Sequence, residues 1–362
     1  MELEEIQKKY RPLLIPLSWG YGLVMRVRNA LYDHGILRSE RFDMPLICVG
    51  NMSVGGTGKT PHTEYIAELL RKKGLKVGVL SRGYLRQTKG FILASASSTA
   101  QEIGDEPCQF KQNYPNMTVA VDEDRADGIR QLMKIEEPHL DAILLDDAFQ
   151  HRKVQCGLNI ILTDFSNLFT ESSMLPSGNL REDPSESKRA QIIIVTKCPS
   201  TIKPIDLNIT RKRLHVHPYQ SLYFTAIRYK AIKALFEEGA KTRLRENTQI
   251  LLLTGIANPE PLKEHVSTYC QHLEMMTFSD HHDFTESDFQ EIEARFQALK
   301  SSSRLIVTTS KDAARLSTSP YMPNSLKPYI FVQGIEVKFL QNTQEDFNQE
   351  ILDYVKRDSR VR

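Results

Sequence analysis

One segment constrains this chain more than any other: Gly50-Asn51-Met52-Ser53-Val54-Gly55-Gly56-Thr57-Gly58-Lys59-Thr60-Pro61. The apolar run Pro45 to Gly50 precedes it and reads as a buried strand. Tyr65, Ile66, Leu69 and Leu70 follow at helical spacing until Gly74. A glycine-rich turn between strand and helix can aim its N–H groups at phosphate oxygens, with the positive helix end behind them. Lys59 supplies a point charge for the β- and γ-phosphates, and the Thr60 hydroxyl can ligate Mg²⁺. Pro61 falls in the first helical turn, where its missing N–H costs little. The strict pattern GxxxxGK[ST] asks for glycine where Ser53 stands. Three glycines remain, so Ser53, Val54, Gly55, Gly56, Thr57, Gly58, Lys59 and Thr60 are the expected phosphate cradle.

Such a loop needs a carboxylate site for its metal. Ala142 to Asp147 is an apolar strand ending in two acids, and ligands of doubly wound folds gather at the carboxyl ends of strands. Asp146 and Asp147 are therefore candidate Mg²⁺ ligands, directly or through water. Ile194-Val195-Thr196-Lys197-Cys198-Pro199 resembles the Asn-Lys-x-Asp segment that reads guanine. Thr196 replaces its asparagine and Pro199 its acid, so ATP is the expected nucleotide.

Lys76 to Ser81, Met117 to Val121, Leu158 to Thr163 and Gln191 to Thr196 also read as strands separated by helical patterns. Near-continuous apolar strands imply a mainly parallel sheet covered on both faces. A second α/β unit is expected from strands Gln249 to Leu253 and Arg304 to Thr308, with helical stretches Asn258 to Cys270 and Glu286 to Leu299. β-rich runs bracket it. The expected organisation is an N-terminal segment 1–40, a nucleotide-binding domain 41–220, linker strands 221–231 and 328–340, a second domain 232–327, and a C-terminal helix 341–362 packing on the first domain.

Lysine plus arginine number 47 and aspartate plus glutamate 45, which leaves no polyanion footprint and excludes nucleic acid as an expected partner. The five cysteines form no CxxC pair, which fits a reducing cytosol. Between Arg11 and Arg26 runs an apolar stretch holding Trp19 and Tyr21, too short to span a bilayer and interrupted by Pro12 and Pro16. It suits either a helix lying on a membrane surface or one packed on the protein's own core.

Other constellations are open when read alone. Arg82, after the strand Lys76 to Ser81, faces an anionic substrate or solvent. Asp105 in Gly104-Asp105-Glu106-Pro107 reads as a helix cap. Asp280-His281-His282-Asp283 reads equally as a metal site, a general base or a surface loop.

Taken together, the segments resemble the tetraacyldisaccharide 4′-kinase (lipid A 4′-kinase) family. The matching residues are the phosphate loop, Leu80 to Tyr84, Gly104 to Pro107, Asp146-Asp147-Ala148-Phe149-Gln150-His151-Arg152, Leu175 to Glu182, Thr254 to Pro259, Phe278 to His282 and Lys311-Asp312-Ala313. Two departures stand out. The family usually has glycine where Ala148 stands, and a further glycine after Tyr84, where this chain has Leu85.

The resemblance implies an α/β, P-loop NTPase-like, doubly wound, mainly parallel sheet. To it would be joined a second, smaller α/β domain on a two-stranded β linker and an N-terminal membrane-surface helix. It implies transfer of the γ-phosphate of ATP to the 4′-hydroxyl of a tetraacylated glucosamine disaccharide 1-phosphate, with Mg²⁺. The alternatives are a kinase of another acceptor and a nucleotide-hydrolysing switch protein. The implied location is the cytoplasmic face of the inner membrane of a Gram-negative-type bacterium, with no obligate protein partner. By matched motif, Lys59 holds phosphates, and Thr60, Asp146, Asp147 and Glu182 organise the metal. Asp105 orients and charges His281, the general base. Arg82, Gln150, His151 and Arg181 face the substrate. A base on the second domain would reach the phosphate when the domains close, which would exclude water.

Overall fold

Strands made of Leu, Ile and Val bury both of their faces here. Every residue of β1 (Leu46–Asn51), β2 (Val77–Ser81), β5 (Ala142–Asp146) and β7 (Ile192–Thr196) is buried. With β4 (Thr118–Val121), β6 (Leu158–Asp164), β8 (Ser221–Tyr229) and β14 (Ile335–Phe339) they lie in the order β14-β8-β7-β6-β1-β5-β2-β4. The ladders from β8 through β4 are parallel. Phe224 pairs with Leu340 and Lys230 with Gly334, so β8 and β14 run antiparallel.

The structure is a computed structural model that describes residues 3–239, 245, 247–256, 258–270, 272–280, 282–301 and 303–359, with the backbone alone of residues 3–9, 11 and 359. The chain divides into two units. The first comprises Met1–Arg82, Met117–Ile227 and Val337–Arg362, the second Gly83–Asn116 and Arg228–Glu336.

In the first unit, α2 (Lys59–Lys72) buries His62, Thr63, Ile66, Ala67 and Leu70, a stripe at helical spacing. The helix α5 (Arg125–Met133) starts where Asp124 accepts hydrogen bonds from the N–H groups of Ala126 and Asp127. Residues 204–213 form α6 (Pro204–Arg213). The last helix, α10 (Gln344–Ser359), buries Phe347, Ile351 and Val355. Phe347 meets Phe339, Tyr223 and Tyr65 at ring separations of 4.7, 5.2 and 6.0 Å. Its Tyr354 hydroxyl donates to the Leu46 carbonyl at 3.0 Å, which pins the start of β1.

The N-terminal apolar stretch is part of one helix, α1 (Leu3–Asp33), which continues through Pro12 and Pro16. Its buried stripe is Ser18, Gly22, Met25 and Asn29. Leu13, Leu17, Trp19, Leu23, Val24 and Val27 are all more than half exposed on its other side. Among the described residues, no helix is long and apolar enough to cross a membrane.

The second unit holds a five-stranded sheet of β9 (Lys233–Ala234), β10 (Gln249–Thr254), β11 (His272–Thr277), β12 (Arg304–Thr309) and β13 (Ile330–Gln333), in the order β11-β10-β12-β13-β9. Its helices from the C-terminal segment are α7 (Glu260–Ser267), α8 (Glu286–Ala298) and α9 (Ser310–Thr318). Phe289, Ile292 and Phe296 of α8 pack on Leu251, Leu253 and Ile306. Residues 83–116 carry β3 (Ile92–Leu93), α3 (Ala100–Ile103) and α4 (Asp105–Asn113), and they belong to this unit. The sequence reading had placed them inside 41–220. They belong here because α4 packs on α9, with Asp105 ion-paired to Arg315.

Candidate active site

The phosphate loop is built by glycine backbone and a small hydrogen-bond frame. Gly55 and Gly58 sit at φ +109° and +83°, where a side chain would be strained. Asn51 Nδ2 donates to Thr57 Oγ1 at 2.8 Å, and the Thr57 N–H donates to the Gly55 carbonyl at 3.0 Å. From the end of β7, the Thr196 hydroxyl donates to the Thr57 carbonyl at 2.8 Å. The His62 ring lies one turn into α2. Its Nδ1 donates to the Gly58 carbonyl at 2.7 Å, which leaves Nε2 to accept from Thr225 Oγ1 at 3.0 Å. Burial pushes this imidazole down to about 4, so it is neutral. Ser53 needs no glycine. It lies in an extended antiparallel bridge with Leu180, outside the left-handed region. Beside it the Val54 N–H donates to the Asn179 carbonyl at 2.7 Å.

The acids stand at the carboxyl end of β5. Asp146 is 4% exposed and accepts from Thr63 Oγ1 at 3.1 Å. Asp147 takes φ +47°, which turns its carboxylate toward Lys59 Nζ at 3.8 Å and Arg181 Nη1 at 3.1 Å. Burial pushes the Asp147 carboxyl up, but the charges of Lys59 and Arg181 outweigh it and hold the group below its ordinary value. Arg125 is buried behind these acids. It donates from Nη2 to the Asp146 carbonyl at 3.2 Å and from Nη1 to the Asp122 carbonyl at 2.5 Å. Burial lowers its guanidinium to about 10, so it stays charged.

Thr60, Asp146 and Asp147 offer hard oxygen donors. Mg²⁺ takes one or two carboxylates and fills its other positions with phosphate and water, so this donor set fits magnesium. Among the described residues no group of three or more His, Cys, Asp or Glu forms a metal cluster. Glu182, expected as a further metal contact, is held between two arginines. It has no exposed surface, Arg28 Nη2 binds its Oε1 at 2.7 Å, and Arg189 binds its Oε2. Both oxygens are committed to guanidinium groups.

A family model described as tetraacyldisaccharide-1-P 4′-kinase (LpxK) matches residues 10–356. The chain belongs to this family. A tetraacyldisaccharide 4′-kinase of Bacteroides thetaiotaomicron is 50% identical over 362 residues, covering 97% of this chain and 95% of the relative. One from Flavobacterium johnsoniae is 42% identical, covering 96% and 97%. A crystal structure of LpxK from Aquifex aeolicus in complex with ATP superposes with a TM-score of 0.74 at 29% identity, covering 95% of this chain and 99% of that one.

The two departures from the 4′-kinase pattern have different physical consequences. Ala148 is 5% exposed and outside the left-handed region; the left-handed residue is its neighbour Asp147, so the extra methyl is tolerated. Leu85, by contrast, sits at φ +60° and is 58% exposed. It carries the strain that a glycine would relieve.

The remaining kinase-motif residues fall in both units. Arg82 is exposed at the end of β2. Gln150 Nε2 donates to the Asn51 carbonyl at 2.8 Å, which ties the acid loop to the phosphate loop. Burial, with Arg125 and Arg82 nearby, lowers the His151 imidazole to about 4. Asp105 opens α4 in the second unit after Gly104, which holds the N-cap position. Arg315 grips both of its oxygens, at 2.6 and 3.0 Å. The cap reading of Asp105 thus gives way to an ion pair. His281 lies outside the described residues. His282 hydrogen-bonds Asp288 at 2.9 Å and stacks on Phe278.

Sequence reasoning missed Arg125, His62 and the Thr196 hydroxyl bond. An arginine at a helix start and a histidine among helical residues carry no signal of burial. Thr196 was noticed for what it lacks as a base reader, not for the carbonyl it holds.

Proposed function

We propose that this kinase transfers the γ-phosphate of ATP to the 4′-hydroxyl of a tetraacylated glucosamine disaccharide 1-phosphate, giving the 1,4′-bisphosphate. One observation carries the reading. The glycine loop, Lys59, Asp146, Asp147 and Arg181 converge at one edge of the sheet, in a chain that matches the 4′-kinase family along nearly its whole length. Phosphoryl transfer needs charge neutralisation and in-line placement more than covalent chemistry.

The loop N–H groups and Lys59 bind the β- and γ-phosphates. Thr60, Asp146 and Asp147 would hold Mg²⁺, which supplies charge neutralisation between the phosphates. Lys59 and Arg181 are both paired to Asp147, so both cations already stand at the place where phosphate oxygens would bind. Arg82, Gln150, His151 and Arg181 bind the acceptor. His281, oriented by Asp105, takes the hydroxyl proton. The exposed apolar side chains of α1 lie on the cytoplasmic face of the membrane that holds the acyl chains.

The test is the reaction itself, run with Mg-ATP and the disaccharide acceptor. Lys59→Ala abolishes product formation. His281→Ala slows turnover much more than it weakens nucleotide binding; equal losses in both would remove His281 as the base.

A further inference from the structure

The helix α1 is docked on the two chain segments that wall the phosphate loop. One is the acid loop. Arg152, which follows Asp146-Asp147, donates to the Asn29 carbonyl at 3.0 Å and to Asp33 at 2.6 Å. The other is the strap of residues 177–183. Ser18 Oγ donates to Ser177 Oγ at 2.8 Å, and the Tyr21 hydroxyl donates to the Arg181 carbonyl at 3.0 Å. Arg26 pairs with Asp183, and Arg28 with the buried Glu182.

The same strap touches the loop through its other edge. Leu180 pairs with Ser53, the Arg181 N–H donates to the Met52 carbonyl at 2.8 Å, and the Arg181 side chain holds Asp147. Arg189, the second partner of Glu182, also donates to the Phe149 carbonyl at 2.9 Å and lies 4.1 Å over the Phe149 ring. Phe149 in turn abuts Gly50, where an added Cβ would stand 2.7 Å from Phe149 Cβ. Glu182 therefore sits between α1 and both walls.

We propose that Arg28 and Glu182 are positioning residues for the phosphate site: through them α1 fixes the strap that sets Arg181, Asp147 and the loop entry. The helix then has two faces with two tasks, an apolar one turned outward and a polar one that holds the nucleotide site in shape. The inference rests on the proposed nucleotide site but not on the identity of the acceptor. A buried carboxylate stripped of one guanidinium partner is strongly disfavoured, so the strap must shift or take up water.

The test uses the full-length protein and three variants, Arg28→Ala, Arg28→Lys and Tyr21→Phe. Fluorescent ATP-analogue binding is measured without acceptor. KM for ATP and for the lipid acceptor are then measured separately in detergent micelles. The expected result for Arg28→Ala is a loss of nucleotide affinity of about tenfold or more, with a rise in KM for the acceptor beside it because the strap also carries Arg181. Arg28→Lys, which restores the charge, recovers part of it. Tyr21→Phe, which removes a single hydroxyl, shifts nucleotide affinity in the same direction by a smaller factor even if Arg28→Ala folds poorly. If nucleotide affinity is unchanged in Arg28→Ala and Tyr21→Phe, or if only KM for the acceptor rises, α1 is an anchor alone and the inference is overturned. Failure of the wild-type protein to phosphorylate the acceptor while it still binds the analogue would count against the proposed acceptor, not against this coupling.

Discussion

Lowering the pH tests the frame of the phosphate loop through His62. The ring is 1% exposed and bonded at both nitrogens, and burial carries it from 6.5 to about 4. An unfolded chain takes up this proton below its ordinary value; the folded chain does not until near 4. Between those limits the unfolded state binds more protons, so stability falls as pH falls. At about 1.4 kcal/mol per pH unit of difference, the full effect is about 3 kcal/mol, and about 2 kcal/mol of it is lost between pH 7 and pH 5.

Other groups also contribute to the pH dependence. His151 is also pushed to about 4 and adds the same sign. Burial raises the Glu182 and Asp312 carboxyls, which work in the opposite direction. The measurement must therefore be a difference. Urea unfolding of the full-length protein at both pH values, in wild type and His62→Gln, isolates the ring. The variant is less stable at neutral pH, but its loss on acidification is smaller by about 2 kcal/mol. Nitrogen-15 NMR of the ring checks the cause, with Nδ1 protonated and no titration near 6.5. A His62 that titrates near 6.5, or a double difference near zero, would refute the reasoning.

Two further outcomes follow from exposed positions. Leu85→Gly removes a side chain that is held in the left-handed region without burying it. The relief of about 1–2 kcal/mol exceeds the entropic cost of glycine, about 0.5–1 kcal/mol, so the melting temperature rises; a fall would show that the leucine is not strained. Trp19 is the chain's only tryptophan and is 74% exposed on the apolar side of α1. Its emission shifts to the blue when anionic phospholipid vesicles are added, and an unchanged spectrum would remove the membrane face.

What the sequence made legible was what repeats or punctuates. The strands showed because a buried parallel strand leaves an unbroken apolar run, as in Ile192–Thr196. The loop showed because few sequences place Gly-Lys-Thr between a strand and a helix. The two acids were legible as the end of an apolar strand, but the pairing of Asp147 with Lys59 was not. What stayed hidden depends on partners distant in sequence. Glu182 stood in the sequence only as a metal contact by matched motif, and nothing there showed that Arg28, in a helix 154 residues away, holds it. Gly83–Asn116 lies between two strands of the first sheet in sequence, and only the packing of α4 on α9 moves it to the second unit. Ser53 looked like a defect in the motif and is instead the point where the strap joins the loop.

The central claim is that the converging loop, lysine and acids move a phosphate onto the 4′-hydroxyl of a lipid disaccharide. The direct measurement is mass spectrometry and phosphorus NMR of the tetraacyl disaccharide 1-phosphate after incubation with the protein and Mg-ATP, with Lys59→Ala in parallel. The expected result is an acceptor heavier by one phosphate group, carrying a second phosphomonoester on the distal sugar, made by the wild type alone. Release of free phosphate with the acceptor mass unchanged would contradict it.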